Sequence, residues 1–484
     1  MQIQPYVGFV GPSYTTQSKI AADDRTVNWI PSKIESGTGP ATYVFDPAPG
    51  FQSYCTLGDT PVRGFFSLNG GDFAVGGENL YELPSSSGGS PILRATGISN
   101  LDNTPVSIAG NGDGGHQFMI ASCSKLYCFE LLTNTLTLIP DITATFVAFQ
   151  DGYFIALNPN TSTIYLSALE NGLSWDLLDV AQRNDSPDKW LSMIVRPKEV
   201  WLFGSESTSV YYDDGNADFP FVPNPSVAIP YGCPAPYSVG LVYGSPIWLA
   251  NDLTVRYAAG NGYTGQRVST HAVEFAIAGY AQDSIISDAD CFTYEENGHA
   301  FYVLNFPTAG ATWVFDLVTQ LWHERTVTSD EADETVSPVW LHTWANNAHL
   351  VGSRTTGVIY QQSQFFATDV DGSSGLRRIR RAPHLVEGLK RIRYALFRLH
   401  MEVGLGLSSG QGSNPLAMLR YSNDGGQTWS EPRNASAGRI GNYGALVDWF
   451  QLGQARDRVF ELSVSDPIPW RLVQAFLRMS VGAS

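Results

Sequence analysis

Seven short segments of this chain share one shape. An aromatic or large apolar residue opens a short strand, a polar or glycine turn follows, and a second apolar strand returns. The segments are FAVGGENLYEL from Phe73, FMIASCSKLYCFEL from Phe118, FIALNPNTSTIYLSAL from Phe154, WLFGSESTSVYYDD from Trp201, WLANDLTVRYAAG from Trp248, FYVLNFPTAGATWVFD from Phe301 and LVGSRTTGVIYQQ from Leu350. Successive starts lie 45, 36, 47, 47, 53 and 49 residues apart, close to the roughly 40 to 50 residues of a four-stranded propeller blade. One such blade cannot bury both faces alone, whereas a closed ring buries each face against its neighbours and leaves only short edges exposed. The spacing therefore predicts an all-β chain built on a β-propeller of about six or seven blades. A stack of unrelated β-sandwiches with similar turn spacing is the alternative. No long stretch shows a helical period, which favours all-β on either reading.

Charge divides the chain. Residues 1–376 hold 14 Lys+Arg against 38 Asp+Glu, and residues 377–484 hold 15 against 8, giving −24 and +7, together the net −17. Composition shifts at the same place, in the Gly/Ser linker and arginines of DVDGSSGLRRIRR. The expected organisation is an N-terminal arm leading into the propeller over 1–60, the propeller over 61–370, and a small C-terminal β-sandwich over 371–484. In RIRYALFRLHMEV, Ile392, Tyr394 and Leu396 alternate with polar or small residues, then Phe397, Leu399, Met401 and Val403 alternate in the opposite phase. Because strand side chains alternate with period two, that slip between Leu396 and Phe397 implies a bulge or a strand end. With 12% aromatic and 15% charged residues, the chain has ample apolar surface to offset its conformational entropy.

Motifs for catalysis are sparse. YSNDGGQTWS, Tyr421 to Ser430, fits S-x-D-x-G-x-T-W, the aspartate box of sialidases and related propellers. Its chemistry is local: Asp424 can accept backbone N–H bonds across a turn, Gly425 and Gly426 permit positive φ, Ser422 and Thr428 can bond across the hairpin, and Trp429 packs beneath. A glycosidase needs two carboxyl-type groups or a tyrosine nucleophile, and a sialidase also needs arginines that clamp the substrate carboxylate. One box outside the repeats supplies neither, so Ser422, Asp424, Gly426, Thr428 and Trp429 read as a structural hairpin.

GLSSG from Gly406 lies in a Gly/Ser loop where no helix could begin to make a nucleophile elbow. GNGDGG from Gly110 lacks the Lys-Ser/Thr of a P-loop and the spaced carboxylates of an EF-hand, and reads as a hairpin tip. His271 and His323 lack the second histidine of a metal motif. Five cysteines without a C-x-x-C pair support neither a disulfide framework nor zinc. No catalytic residue, cofactor site or metal site is expected. The N-terminal stretch lacks the pattern of a secretion signal, and no run approaches the ~18 apolar residues of a membrane span, so no membrane anchoring is expected.

The densest charge is a basic cluster: Arg377, Arg378, Arg380, Arg381, Lys390, Arg391, Arg393 and Arg398, interrupted by Glu387 alone among acids. It could bind phosphates, or mate with the acidic domain or a neighbouring subunit. A protein interface is the preferred reading, because an acidic chain repels DNA elsewhere.

VWLFGSESTSVYYDDGNADFPF (Val200 to Phe221), RVSTHAVE (Arg267 to Glu274) and NGHAFYVLNFPTAGATWVFDLVTQLWHER (Asn297 to Arg325) resemble the packaged-DNA stabilisation, or tail hub, proteins of short-tailed phages. GPSYTTQS from Gly11, PGF from Pro49 and YSNDGGQTW from Tyr421 resemble that family's N-terminal segment and C-terminal hairpin. The resemblance implies a virion component, assembled in the bacterial host cytoplasm and built into the tail. It implies a hexameric ring, or nozzle, below the portal and its adaptor proteins, which retains packaged double-stranded DNA and forms part of the ejection channel. Tail spikes or fibres and a closing needle or plug would attach to it. It implies no active site. The alternative is a glycan-binding or glycan-hydrolysing propeller of sialidase type, which would place carboxylates and arginines at the propeller centre.

Overall fold

The computed structural model describes residues 3–36, 41–112, 114–183, 186–216, 219–260, 262–328 and 334–482. Each of the seven hairpins foreseen above forms the second and third strands of a four-stranded antiparallel blade. Blades 1 to 5 are separate sheets that begin at Val62, Ser107, Phe146, Trp190 and Gly240. Blade 6 runs from Asp290–Glu296 to Leu321–Glu324 and continues into a larger sheet. Blade 7 takes Val339–Ala345, Ala348–Ser353 and Val358–Ser363, and its outermost strand is the N-terminal segment Gly50–Thr56. Six four-stranded sheets thus stand alone, and a seventh four-strand unit opens an eleven-stranded sheet.

The hairpin openings Phe118, Phe154, Trp201, Trp248, Phe301 and Leu350 are wholly buried and Phe73 nearly so, which is why the repeat is legible. Each blade packs on the next through an apolar cluster. Phe73 and Phe118 join blades 1 and 2, Met119 and Phe154 join 2 and 3, Ile155 and Trp190 join 3 and 4, and Phe203 and Trp248 join 4 and 5. Tyr257 and Tyr302 join 5 and 6, Val303 and Val351 join 6 and 7, and Leu350 and Ala74 close 7 onto 1. Pairing of Gly50–Thr56 with Val358–Ser363 bolts the ring shut with strands distant in sequence, completing blade 7 as a four-stranded sheet.

The second unit is a β-sandwich. One sheet orders Trp29–Lys33, Tyr43–Pro47, Leu472–Val481, Ile392–Met401 and Val447–Phe450. The other follows blade 6 through Asp23–Val27, Arg378–Arg381, Asp457–Val464, Leu416–Ser422 and Arg433–Ser436. Between the sheets lie Trp29, Phe397, Phe460, Trp449 and Trp470. The N-terminal residues, expected as an arm, thus supply strands to the sandwich before closing the ring. Asn28 marks the junction: in the left-handed region (φ 56°), its side-chain amide donates to the carbonyls of Thr326 (2.8 Å) and Arg377 (2.7 Å). One short side chain therefore ties the N-terminal segment to the end of blade 6 and the start of the sandwich.

Two expectations need correction. A helix, His271–Asp283, follows blade 5. Only Ala272, Val273 and Ile277 are buried along it, too narrow a stripe to register as a helical period, although Thr270 caps it by accepting from the Val273 N–H at 3.4 Å. The phase slip in the strand Ile392–Met401 is a bulge, but its register shift falls between Tyr394 and Leu396 and the strand continues through Phe397. The hairpin tip expected at GNGDGG includes residue 113, which lies outside the described residues.

Candidate functional site

The basic cluster does not form one surface. Arg378 and Arg380 lie on the strand Arg378–Arg381, which is paired on both sides, with Asp23–Val27 and with Asp457–Val464. Both side chains are buried, at 0% and 1% exposure, so neither can face DNA or a partner, and both are withdrawn from the proposed cationic face. Arg380 is a staple. Its guanidinium donates to the carbonyls of Phe9 (2.6 Å), Gly8 (2.9 Å) and Pro12 (3.0 Å) and to the Thr26 hydroxyl (2.8 Å), fixing the N-terminal segment against the sandwich. Burial pushes both guanidinium pKa values down to about 10, so both remain charged at neutral pH.

Arg381 bonds Asp23 at 2.5 Å and Glu461 at 2.9 Å, and Arg398 forms a two-pronged pair with Asp448 at 2.7 and 2.6 Å. Arg377 is half-buried at the Asn28 junction. Only Lys390, Arg391 and Arg393 remain exposed. What the cluster exposes is therefore three residues at the entrance to one strand.

The aspartate box joins the strands Leu416–Ser422 and Arg433–Ser436. Asp424 Oδ1 accepts from the Ser422 hydroxyl (2.6 Å) and the N–H groups of Thr428 (2.9 Å) and Gln427 (3.1 Å), while Oδ2 accepts from the Thr428 hydroxyl at 2.5 Å. These bonds, the Ser422 hydroxyl foremost, hold its pKa down to about 2. Gly425 and Gly426 take φ of 74° and 89°. The indole N–H of Trp429 donates to the Gly426 carbonyl at 3.1 Å, and the ring lies between the guanidinium groups of Arg381 (4.9 Å) and Arg420 (4.8 Å). Both arginines are anchored on Glu461. The carboxylate is spent on its own turn, and the arginines around it are spent on Trp429 and Glu461.

At the propeller centre, the innermost strands carry five acidic or basic residues, all at or near strand ends: Arg63, Arg196, Asp290, Glu295 and Glu296. Arg63 is buried and donates to the carbonyls of Thr104, Gly77 and Ser99 at 2.9 to 3.0 Å, lacing blades 1 and 2 together. Arg196 pairs with Glu199 at 2.5 Å and Asp290 with Arg354 at 2.5 Å. Glu295 lines a cavity of about 410 Å³ with Thr293, His342, Trp344 and His349, which offers one carboxylate and no arginine. His323, singled out by sequence, is buried and His342 is half-buried, and desolvation pushes each pKa down to about 3, so both are neutral at pH 7. His271 opens the helix and lies exposed beside Arg267 and Glu274. Among the described residues no cluster of three or more His, Cys, Asp or Glu side chains could hold a metal ion, and no helix is long and apolar enough to cross a membrane.

Two family models match the chain. One, described as bacteriophage P22 Gp10, beta-propeller, matches residues 23–365; the other, bacteriophage P22 Gp10, beta-sandwich, matches residues 378–480. No curated protein matches. Among solved structures the chain is similar to the WD40 β-propeller domain of Doa1, at 13% identity and a TM-score of 0.40 over 65% of this chain and 97% of that one. It is similar to the N-terminal domain of Nup159 at 12% identity and a TM-score of 0.39, over 65% and 95%. It is also similar to PorZ of Porphyromonas gingivalis at 11% identity and a TM-score of 0.39, over 72% and 45%.

Proposed function

The chain belongs to the bacteriophage P22 Gp10 family through both its propeller and its sandwich, and on that premise we propose that it is the tail hub, or nozzle, of a short-tailed phage. Membership makes it a phage structural tail protein. The finer reading is that six copies form a ring below the portal and its adaptor proteins, carry the spikes or fibres and the needle or plug, and retain the packaged DNA. The observation that carries this reading is the match of both domains, in chain order.

Two physical features support it. A hub must pass load from the head to the appendages without deforming, and here blade 6 and the sandwich share one continuous sheet, locked by Asn28 and Arg380. A conduit for DNA must not grip phosphates, and the part of the chain up to residue 376 is strongly acidic, which repels a polyanion over about a Debye length of ~8 Å. The basic residues that could grip DNA are largely buried or ion-paired. The function is contact and containment, without chemistry. A glycan hydrolase is disfavoured because Asp424 is consumed by its own turn and the charged groups of the inner strands do not converge as an acid and arginine pocket.

Retention is the testable property. Heads filled in a phage lacking this chain should lose their DNA before maturation, and adding purified chain to freshly filled heads should restore nuclease resistance. Heads that keep their DNA without it would rule the reading out.

A further inference from the structure

Across the ring from the sandwich, the propeller presents an unfinished edge. The sandwich joins at blade 6, and blades 2 and 3 each stand three blades away from it in opposite directions, so the seam between them is the opposite pole of the molecule. There the outermost strand of blade 3, Asn171–Gln182, runs for 12 residues and pairs on one side only, with Thr163–Ala168. Leu177 and Leu178 on it are 52% and 87% exposed, and Leu138 across the seam is 46% exposed. A groove of about 720 Å³ runs between these strands, edged by Asp141, Asp176 and Asp179, none of which forms an ion pair among the described residues. A long, apolar, one-sided edge strand is a template for another chain and is normally blunted or covered.

The sandwich carries a complementary projection. The turn before the strand Ile392–Met401 holds Leu389 in the left-handed region (φ 57°) with its side chain 66% exposed. A leucine there is strained by about 1 to 2 kcal/mol, and the Arg456 guanidinium fixes the turn by donating to the Leu389 carbonyl at 2.9 Å. Lys390 and Arg391 follow immediately, exposed and without an ion pair among the described residues. The sandwich thus offers an apolar knob flanked by cations, and the far side of the propeller an apolar groove flanked by carboxylates.

We infer that the occupant of the groove between blades 2 and 3 is a second copy of this chain, which seats Leu389 among the leucines and sets Lys390 and Arg391 against Asp141, Asp176 and Asp179. The contact is head-to-tail, the class that generates a ring when the rotation closes. It rests on the hub reading and deepens it by naming the two surfaces that meet.

The test uses full-length chain, with assembly followed by mass photometry across protein concentration and by sedimentation. K390E/R391E and D176K/D179K should each raise the concentration for half-assembly by about tenfold or more, and L389D should do the same. The chain carrying both reversals should recover most of the lost assembly, because the reversed pairs again join opposite charges and Asp141 alone is left facing a like charge. Wild-type assembly should also weaken as salt rises from about 50 to about 500 mM. Leu389, Lys390, Arg391 and Asp176 are exposed and Asp179 is only half-buried, so circular dichroism and melting temperature should stay close to wild type. Reversal variants that still form rings at wild-type concentrations overturn the assignment of the surfaces and leave the hub reading standing. So does a D176K/D179K chain that forms rings but fails to bind an adaptor or fibre protein. A wild-type chain that stays monomeric both alone and with adaptor complexes overturns both.

Discussion

Arg380 carries more of the architecture than its place in an arginine run suggests. Replacing it with methionine strips buried carbonyls of their donors, and we expect a loss of roughly 3 kcal/mol or more in urea denaturation, with lysine failing to rescue because it cannot reach four acceptors in one plane. A change below about 0.5 kcal/mol would mean that the N-terminal segment is held by something else. The run RRIRR displayed its charge in the sequence but not its burial: strand alternation would send Ile379 and the flanking arginines to opposite faces, and the sequence does not tell that both faces are covered, Ile379 being 3% exposed. The aspartate box was legible as a hairpin because every partner of Asp424 lies within four residues of it. The histidines make a second prediction. His323 and His342 have folded pKa values depressed from 6.5 to about 3, so the folded state resists protons that the unfolded chain accepts. Stability should be unaffected by these groups above pH ~6.5 and fall as pH drops toward ~3, by up to about 1.4 kcal/mol per unit for each. Chemical denaturation at pH 7 and pH 5 should show that loss in wild type and a smaller one in H323F/H342F; equal losses would contradict the assignment.

The second and third strands of every blade announced themselves, because they are buried between neighbouring blades and so read as apolar runs opening on an aromatic residue or, in blade 7, on Leu350. Inner and outer strands did not: the inner ones are as short as Gly240–Val242, and the outer ones are half-exposed and mixed. The contribution of residues 4–47 to the sandwich and of Gly50–Thr56 to blade 7 was hidden for a different reason. It depends on contacts some 300 to 440 residues distant, such as Val358 with Thr56 and the Trp29 indole with the Trp470 carbonyl, and no local pattern encodes a partner that far away. The closing strand gives the prediction at this scale. Replacing Gly50–Thr56 by a Gly/Ser linker of equal length leaves the edge of blade 7 bare, and the variant should melt at lower temperature over a broader transition and aggregate on heating. A sharp transition at the wild-type temperature would show that the ring does not depend on that bolt.

At the scale of the whole molecule, the charge asymmetry that divides the sequence near residue 376 becomes a spatial one, with a cationic sandwich at one side of an acidic wheel. That polarity explains why a strongly acidic protein keeps exposed Lys390, Arg391 and Arg393, and it yields an account in which assembly, rather than chemistry, is what the surface is built for. The family was legible from three central segments and holds across both domains; the position of the contact surfaces was not, since it depends on which blade receives the sandwich. The central claim is that copies of this chain form a closed ring on the tail end of the head. Electron microscopy of the purified chain mixed with portal–adaptor complexes tests it most directly: the account predicts a single sixfold ring of propellers capping the adaptor end, and isolated monomers that leave that end bare would contradict it.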